Sequence, residues 1–401
     1  MLKLRTDDKL YIVEMLLLFG ICLNTLLHQS DVVSTLFKWT FVVLLIAFLL
    51  QIYHKQIVNE LHLLAVATIL LSFLHVAIRT DVNTFAYYKK FVMFSCTVLM
   101  LPFVDGIRVK RSLVNWILAI NLGIALLYPV FYWGYGIRGW HGRYITLYFS
   151  NPNLTAMYLM HSLLYGSIAF YYFKHWLMKL LILPLIGALL WLDYLTGARS
   201  TYVAIAAFAG FSFANTVLKK DIRISPEISA VLLWMPLILA VSYLIIHKSG
   251  LLDRFFAFMD IGEGKSLTSR VSIWNRAIEN FVDHPIMGAY YEISYGTGVS
   301  QLHNTHLDTL ASYGMVPFLL FIFSMQRTVK KILPTATTSF ARMALFAFFA
   351  AIIQGTFEAA LVAGSGVGLY IMSFGFLLLA KYNEQQDEKR TIRFVMGKKA
   401  G

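Results

Sequence analysis

The sequence predicts an all-α integral membrane protein of about twelve transmembrane helices with one large external loop. Three observations carry that expectation. Apolar residues make up 58% of the 401, about 64% once the 25 glycines are added, and charged residues only 14%, against roughly 45–50% (glycine included) and about 25% in a soluble domain. Mean hydropathy over the whole chain is +0.66. Apolar runs long enough to cross a hydrocarbon core of about 30 Å, which takes about 20 helical residues, recur between short cation clusters.

Composition also excludes whole classes. Disorder, collagen-like repeats and a disulfide framework do not fit it. Cys22 and Cys96 both lie in apolar runs and read as buried thiols without redox or metal work. The net charge of +13 is scattered between spans rather than gathered on one soluble face, so nucleic acid is not an expected partner.

The spans expected are 11–27, 32–52, 61–78, 86–104, 112–133, 154–173, 177–195, 201–218, 228–246, 308–326, 341–358 and 364–380. No A-x-A-like cleavage site follows the first, which therefore reads as a retained helix. With both termini in the cytoplasm, 22 of the 34 Lys and Arg residues fall in inner loops and tails, including Arg108, Lys110 and Arg111, Lys330 and Lys331, and Lys381. That is the positive-inside bias. The organisation is then nine helices over 1–246, a large periplasmic loop over 247–307, three helices over 308–380, and a basic cytoplasmic tail over 381–401 beside anionic lipid. Long structured loops are usually functional, which sets the chemistry outside, where there is no ATP.

The large loop contains an amphipathic helix over Arg270 to Phe281, with Ser269 as its expected cap. Val271, Trp274, Ala277, Ile278 and Phe281 form its apolar stripe at 100° per residue. Arg270 falls inside the stripe and Arg276 opposite it. A cation on the covered face needs an anionic partner: a structural carboxylate or a ligand phosphate. His284-Pro285 ends the helix and Gly288 marks the turn after it.

The tenth span opens with His303-Asn304-Thr305-His306-Leu307-Asp308. On helical projection His303, His306, Leu307, Leu310 and Gly314 share a face and Asp308 lies off it. The spacing is not that of a zinc helix, so no metal is expected; a hydrogen-bonded structural His303 and a reactive one both fit. Other outer features are the turn Gly197-Ala198-Arg199-Ser200, the turn Ser150-Asn151-Pro152-Asn153 with Asn153 as cap, and Glu358 near the outer end of the eleventh span. An intramembrane carboxylate is by default a functional candidate. Arg138, Arg143 and Arg254 add guanidinium to the outer side, where Arg199 reads either as a snorkelling cation or as a phosphate ligand.

In order and spacing, Asn151-Pro152-Asn153, Gly197-Ala198-Arg199-Ser200, Ser269-Arg270-Val271-Ser272-Ile273-Trp274, His284-Pro285-Ile286-Met287-Gly288 and His303-Asn304 followed by Gly314 resemble the O-antigen ligase and polymerase superfamily. The likeness covers most of the chain. It departs at Pro317, where ligases carry the second glycine of a G-x-x-G.

The resemblance implies a fold like that of class C glycosyltransferases, in the bacterial inner membrane with a periplasmic active site. It implies transfer of glycan from undecaprenyl diphosphate, metal-independent, inverting and without cofactor. Arg270 and Arg199 map onto the arginines that hold the donor diphosphate, and His303 onto the histidine that activates the acceptor hydroxyl. Asn304, Arg138, Arg143 and Glu358 complete the expected substrate contacts.

The chemistry is coherent. The donor carries its own leaving group, oriented arginines neutralise charge growing on it, and histidine is a base suited to neutral pH. The first reading is a ligase with a lipid A–core sugar as acceptor. The alternative is an O-antigen or exopolysaccharide polymerase that uses the same donor and a second lipid-linked glycan. A transporter of lipid-linked sugar is a third class; matching broken spans in two halves would mark it, and the sequence has none.

Overall fold

The computed structural model describes residues 60–78, 84–218 except 108, 143, 148 and 150, 222–248, 268–288 except 287, 302–358 and 367–382. The first two expected spans with Cys22, the loop stretches 249–267 and 289–301, and the tail from 383 lie outside the described residues, as do the side chains of Cys96, Arg143 and Arg270.

Among the described residues the chain is helical: α1 Glu60–Ile78, α2 Thr84–Gly106, α3 Arg111–Pro129, α4 Pro152–Tyr172, α5 Trp176–Thr196, α6 Arg199–Thr216, α7 Pro226–Lys248, α8 Thr268–Asp283, α9 Thr305–Tyr313, α10 Met315–Ile332, α11 Ser339–Gln354 and α12 Val367–Ala380. Every expected span from 61–78 onward falls on a helix or a helix pair. Among the described residues three segments are long and apolar enough to cross a membrane: Arg111–Gly134, which is α3 plus a π-helical turn, Trp176–Thr196 and Pro226–Ile246. One short hairpin, β1 Trp140–His141 against β2 Tyr144–Ile145, interrupts the helical pattern.

The core is organised on α11, which packs against α4, α6, α7 and α12. Its sequence explains that position. Ala341, Ala344, Ala347 and Ala350 repeat every third residue and are all buried, so neighbouring backbones approach closely, as small residues permit between apolar helices. Phe346, Phe348 and Phe349 fill the remaining volume and are buried too.

The helix ends sort into two poles. At one, Lys381 donates to the carbonyls of Val104, Asp105 and Ile107 at 2.6–2.9 Å, closing the C-terminus of α2 where a cation is favoured. Burial pushes this ammonium down to about 8, against the pull of Asp105. Lys331 pairs with Asp105 at 3.1 Å and Arg327 with Glu60. These are the cations that charge bias assigns to the inner side. The starts of α4 and α9 and the end of α11 form the opposite pole. Exposed aromatics mark both levels: Trp116, Tyr171 and Trp176 at the first, Trp133, Tyr135, Trp191 and Tyr194 at the second. The rise from Trp176 to Trp191 is about 22 Å, and such belts sit at bilayer interfaces.

Two expected spans differ in detail. The tenth is broken at Gly314, which has φ +82° and separates the short α9 from α10. The turn after α8 docks there: Met315 N–H donates to Pro285 O at 2.8 Å and Val316 N–H to Ile286 O at 3.3 Å. Gly288, with φ +73°, faces Gly314 across this contact, and a Cβ on either would strike the other's backbone. The eleventh helix ends at Gln354, so Glu358 sits in the turn beyond it.

Candidate active site

The site assembles from three helix ends. Asn304 starts α9: its Oδ1 accepts from the backbone N–H of His306 and Leu307 at 3.0 and 2.9 Å, the usual work of an N-cap asparagine. Its Nδ2 donates to Thr356 O and Pro236 O, both at 2.9 Å. Asn304 is fully buried, and these bonds spend its amide inside the protein, tying α9 to α7 and to the turn after α11. Thr305 strengthens the same joint through N–H to Gly355 O and Oγ1 to Glu358 O.

His303 therefore precedes the helix instead of riding on it, and the projected helical face does not include it. Its φ is +49°, a left-handed conformation that histidine adopts sparingly and that clusters at functional sites. That backbone turns the imidazole toward Glu358. Nδ1 lies 2.8 Å from Glu358 Oε2. An ionised carboxylate only accepts; opposite one, Nδ1 is the nitrogen that carries the proton and Nε2 the one that keeps its lone pair in the neutral ring. The His303 side chain is 18% exposed and that of Glu358 2%, which leaves a partly open imidazole backed by a buried carboxylate. Asn153 Nδ2 donates to Glu358 Oε1 at 2.8 Å.

His306 diverges from this pair. It is buried, and its Nε2 donates to Leu233 O at 2.7 Å, with the ring edge-on to Phe318. It holds α9 against α7.

The loop helix α8 supports the site from the side. Ile273, Trp274 and Ala277 are buried against Ala240 and Leu244 of α7 and Leu307 and Ala311 of α9. Ile278 and Phe281 pack at the margin. Of the expected stripe, Val271 lies outside the described side chains, and Ile273 joins the buried face. Arg276 is exposed, as the projection requires. Trp274 donates its indole N–H to Leu302 O at 2.8 Å, so the residue before His303 is fixed by α8. Arg270 lies in the first turn of α8. Ser269, expected as the cap, is inside that helix, which starts at Thr268.

Arg199 opens α6 and is exposed. Its turn is stiff: the Thr201 hydroxyl lies 2.9 Å from Asp193 Oδ2 and 2.7 Å from Ala198 O. The Tyr144 ring covers Gly197 so closely that a Cβ there would enter it. Tyr144 belongs to β2, and Thr146 just beyond accepts from Thr155 Oγ1 of α4 at 2.6 Å, so Arg199 shares the pole of Asn153 and Glu358. Arg138 is exposed before the hairpin, its guanidinium 5.4 Å above the Tyr132 ring.

Besides the partners of Glu358, two further contacts are not what the sequence predicts. Asn153 was the expected cap of α4, but Asn151 is the cap, accepting from Asn153 N–H at 2.8 Å. The signal was present in Pro152, which lacks an N–H and favours the first helical position, setting Asn151 just outside the helix. The Trp274 bond to Leu302 had no local signal.

Fold and site together define a multi-pass helical membrane protein with a carboxylate-backed histidine at one pole. Residues 184–322, from within α5 to within α10, match the family model of the O-antigen ligase. Members of that family are membrane glycosyltransferase-like ligases and polymerases. The matched stretch includes Arg199, Arg270, His303 and Asn304; Asn153 and Glu358 come to the site from outside it. No curated protein matches the chain.

Proposed function

We propose that this protein is an O-antigen ligase of the bacterial inner membrane. It moves glycan from undecaprenyl diphosphate to a sugar hydroxyl of lipid A–core on the periplasmic face. The observation that carries the reading is the His303–Glu358 pair, an imidazole Nδ1 held 2.8 Å from a buried carboxylate; the match to the O-antigen ligase family model, which spans the histidine, supports it.

In this mechanism Nε2 of His303 takes the proton of the acceptor hydroxyl. The acceptor oxygen bonds to the anomeric carbon as the bond from that carbon to the diphosphate oxygen breaks. The diphosphate leaves with the electron pair, and the anomeric centre inverts. Glu358 steadies the imidazolium formed and keeps the ring in the reactive tautomer, as the carboxylate of a catalytic triad does. Arg270 and Arg199 neutralise the departing diphosphate; guanidinium suits this because it stays charged and binds phosphate oxygens in pairs. Asn304 holds the start of α9 and so the histidine. Arg138 and Arg143 are assigned to the polar end of substrate, and the polyprenyl tail lies among the helices.

The test is the lipopolysaccharide of a deletion strain, resolved on gels. Loss of all long chains with lipid-linked polymer accumulating supports the ligase. Core carrying a single repeat unit identifies the polymerase instead. Complementation by the wild-type chain and failure by His303→Ala ties the outcome to the site. A reporter fused near residue 280 tests the side of the membrane: a cytoplasmic signal overturns the periplasmic assignment.

A further inference from the structure

We infer that Asn153 is a positioning residue for His303, acting through Glu358. The inference rests on the reading of His303 as acceptor base given above, and it assigns a task to a side chain 205 positions from its partner in sequence.

The start of α4 does not need the Asn153 side chain. Asn151 caps the helix through Oδ1, and Pro152 presents no N–H to satisfy. Thr155 anchors the first turn to Thr146 O. The Asn153 amide is free of local duty and instead donates to Glu358 Oε1 at 2.8 Å.

That bond sets the orientation of the carboxyl group. Asn153 Nδ2 can only donate, so it fixes Oε1 as an acceptor and leaves Oε2 turned to His303 Nδ1. In the base reading, where Glu358 is the ionised acceptor, Oε2 then holds the proton on Nδ1 and Nε2 keeps its lone pair. The amide at the start of α4 thereby holds the carboxylate in the position that orients the imidazole. Removing it leaves a buried carboxylate with one fewer donor, a change that costs most where the side chain is almost wholly buried.

The experiment separates this task from a helix-start role. Asn153→Ala and Asn153→Asp are made in the wild-type chain and in Glu358→Gln, and the proteins are reconstituted in nanodiscs. The donor is lipid-linked glycan extracted from the deletion strain; kcat and donor KM are measured, with thermal melts to confirm folding. Aspartate is the decisive variant, because a carboxylate at a helix N-terminus favours the helix while setting a second negative charge against Glu358. We expect each substitution to lower kcat about 10- to 100-fold in the wild-type chain, as loss of a bond to a charged group does, with donor KM little changed. In Glu358→Gln the same substitutions should cost about 2-fold or less, because partners that act as a unit are not additive. Equal losses in both backgrounds, or Asn153→Asp with wild-type turnover, overturns the inference. If His303→Ala keeps its activity, the base reading itself has failed; if His303→Ala is inactive while Asn153→Asp is active, only the relay has.

Discussion

Replacing Glu358 with glutamine changes few atoms and should disable the base. The carboxylate accepts from Asn153 and His303, each at 2.8 Å. Glutamine offers one acceptor oxygen and one NH2 in the same place. If its oxygen serves Asn153, its NH2 faces Nδ1, which then must shed its proton to Nε2. The nitrogen meant to receive the acceptor's proton already holds one. If the amide flips, NH2 meets NH2 in a site where the Glu358 side chain is 2% exposed. Losing a bond to a charged group costs about 1.5–3 kcal/mol, or about 10- to 100-fold in rate. The wrong tautomer adds to this, toward the about 10²–10⁴-fold that general base catalysis contributes. The expected fall in kcat is about 10²–10³-fold, with donor KM nearly constant because the donor is held elsewhere. Glu358→Asp, shorter by about 1.5 Å, cannot reach both partners and should fall in between. The assay is initial-rate transfer of extracted lipid-linked glycan by protein in nanodiscs. Wild-type turnover in folded Glu358→Gln refutes the reasoning, because an amide satisfies both neighbours only when the proton sits on Nε2, where it blocks the base.

The other perturbations act on separate parts of the site. His303→Ala should lose about 10²–10⁴-fold in turnover while still folding and binding donor, whereas His306→Ala, which breaks the bond to Leu233 O, should lower the melting temperature more than the rate of the folded protein; near-normal transfer by His303→Ala is the contrary result. Chelation by EDTA should leave wild-type transfer unchanged, and loss restored by a divalent metal would require a different mechanism. Arg270→Ala should abolish transfer and Arg270→Lys recover little, since an ammonium does not reproduce the paired grip on phosphate; Arg276→Ala, exposed on the other side of α8, should be mild, and equal damage from both would break the helical-face argument. Gly314→Ala adds a Cβ where φ is +82° and where the Gly288 and Ile286 backbones already stand, so it should cost more than about 1 kcal/mol and reduce the monodisperse yield in detergent; an unchanged yield and melt would deny the docking of 284–288.

Local chemistry made much of this protein legible in its sequence, and distance in sequence hid the rest. Apolar runs and their flanking cations mark the helices because a bilayer demands both, and α1 to α7 start and stop within a few residues of those marks. The stripe of α8 was readable because 3.6-residue periodicity is a property of the segment itself. The break at Gly314 has a local signal in Pro317, which cannot bond to the carbonyl of Tyr313, but the docking of the Gly288 turn against it has none. His303 was assigned to a helical face for a similar reason: nothing in its neighbours announces a φ of +49°, which is held by Trp274 on one side through Leu302 O and by the capped start of α9 on the other. Glu358 reads from the sequence as a functional carboxylate and an expected substrate contact, but not as the partner of His303 or Asn153. Its partners lie 55 and 205 positions away, and no pattern inside a single helix encodes such pairs. What the sequence does encode is their necessity. A carboxylate that close to an apolar core is tolerable only with hydrogen-bonding partners, so Glu358 by itself implies such groups at the same pole, and among the described residues the fold brings it an amide from the start of α4 and an imidazole from the start of α9.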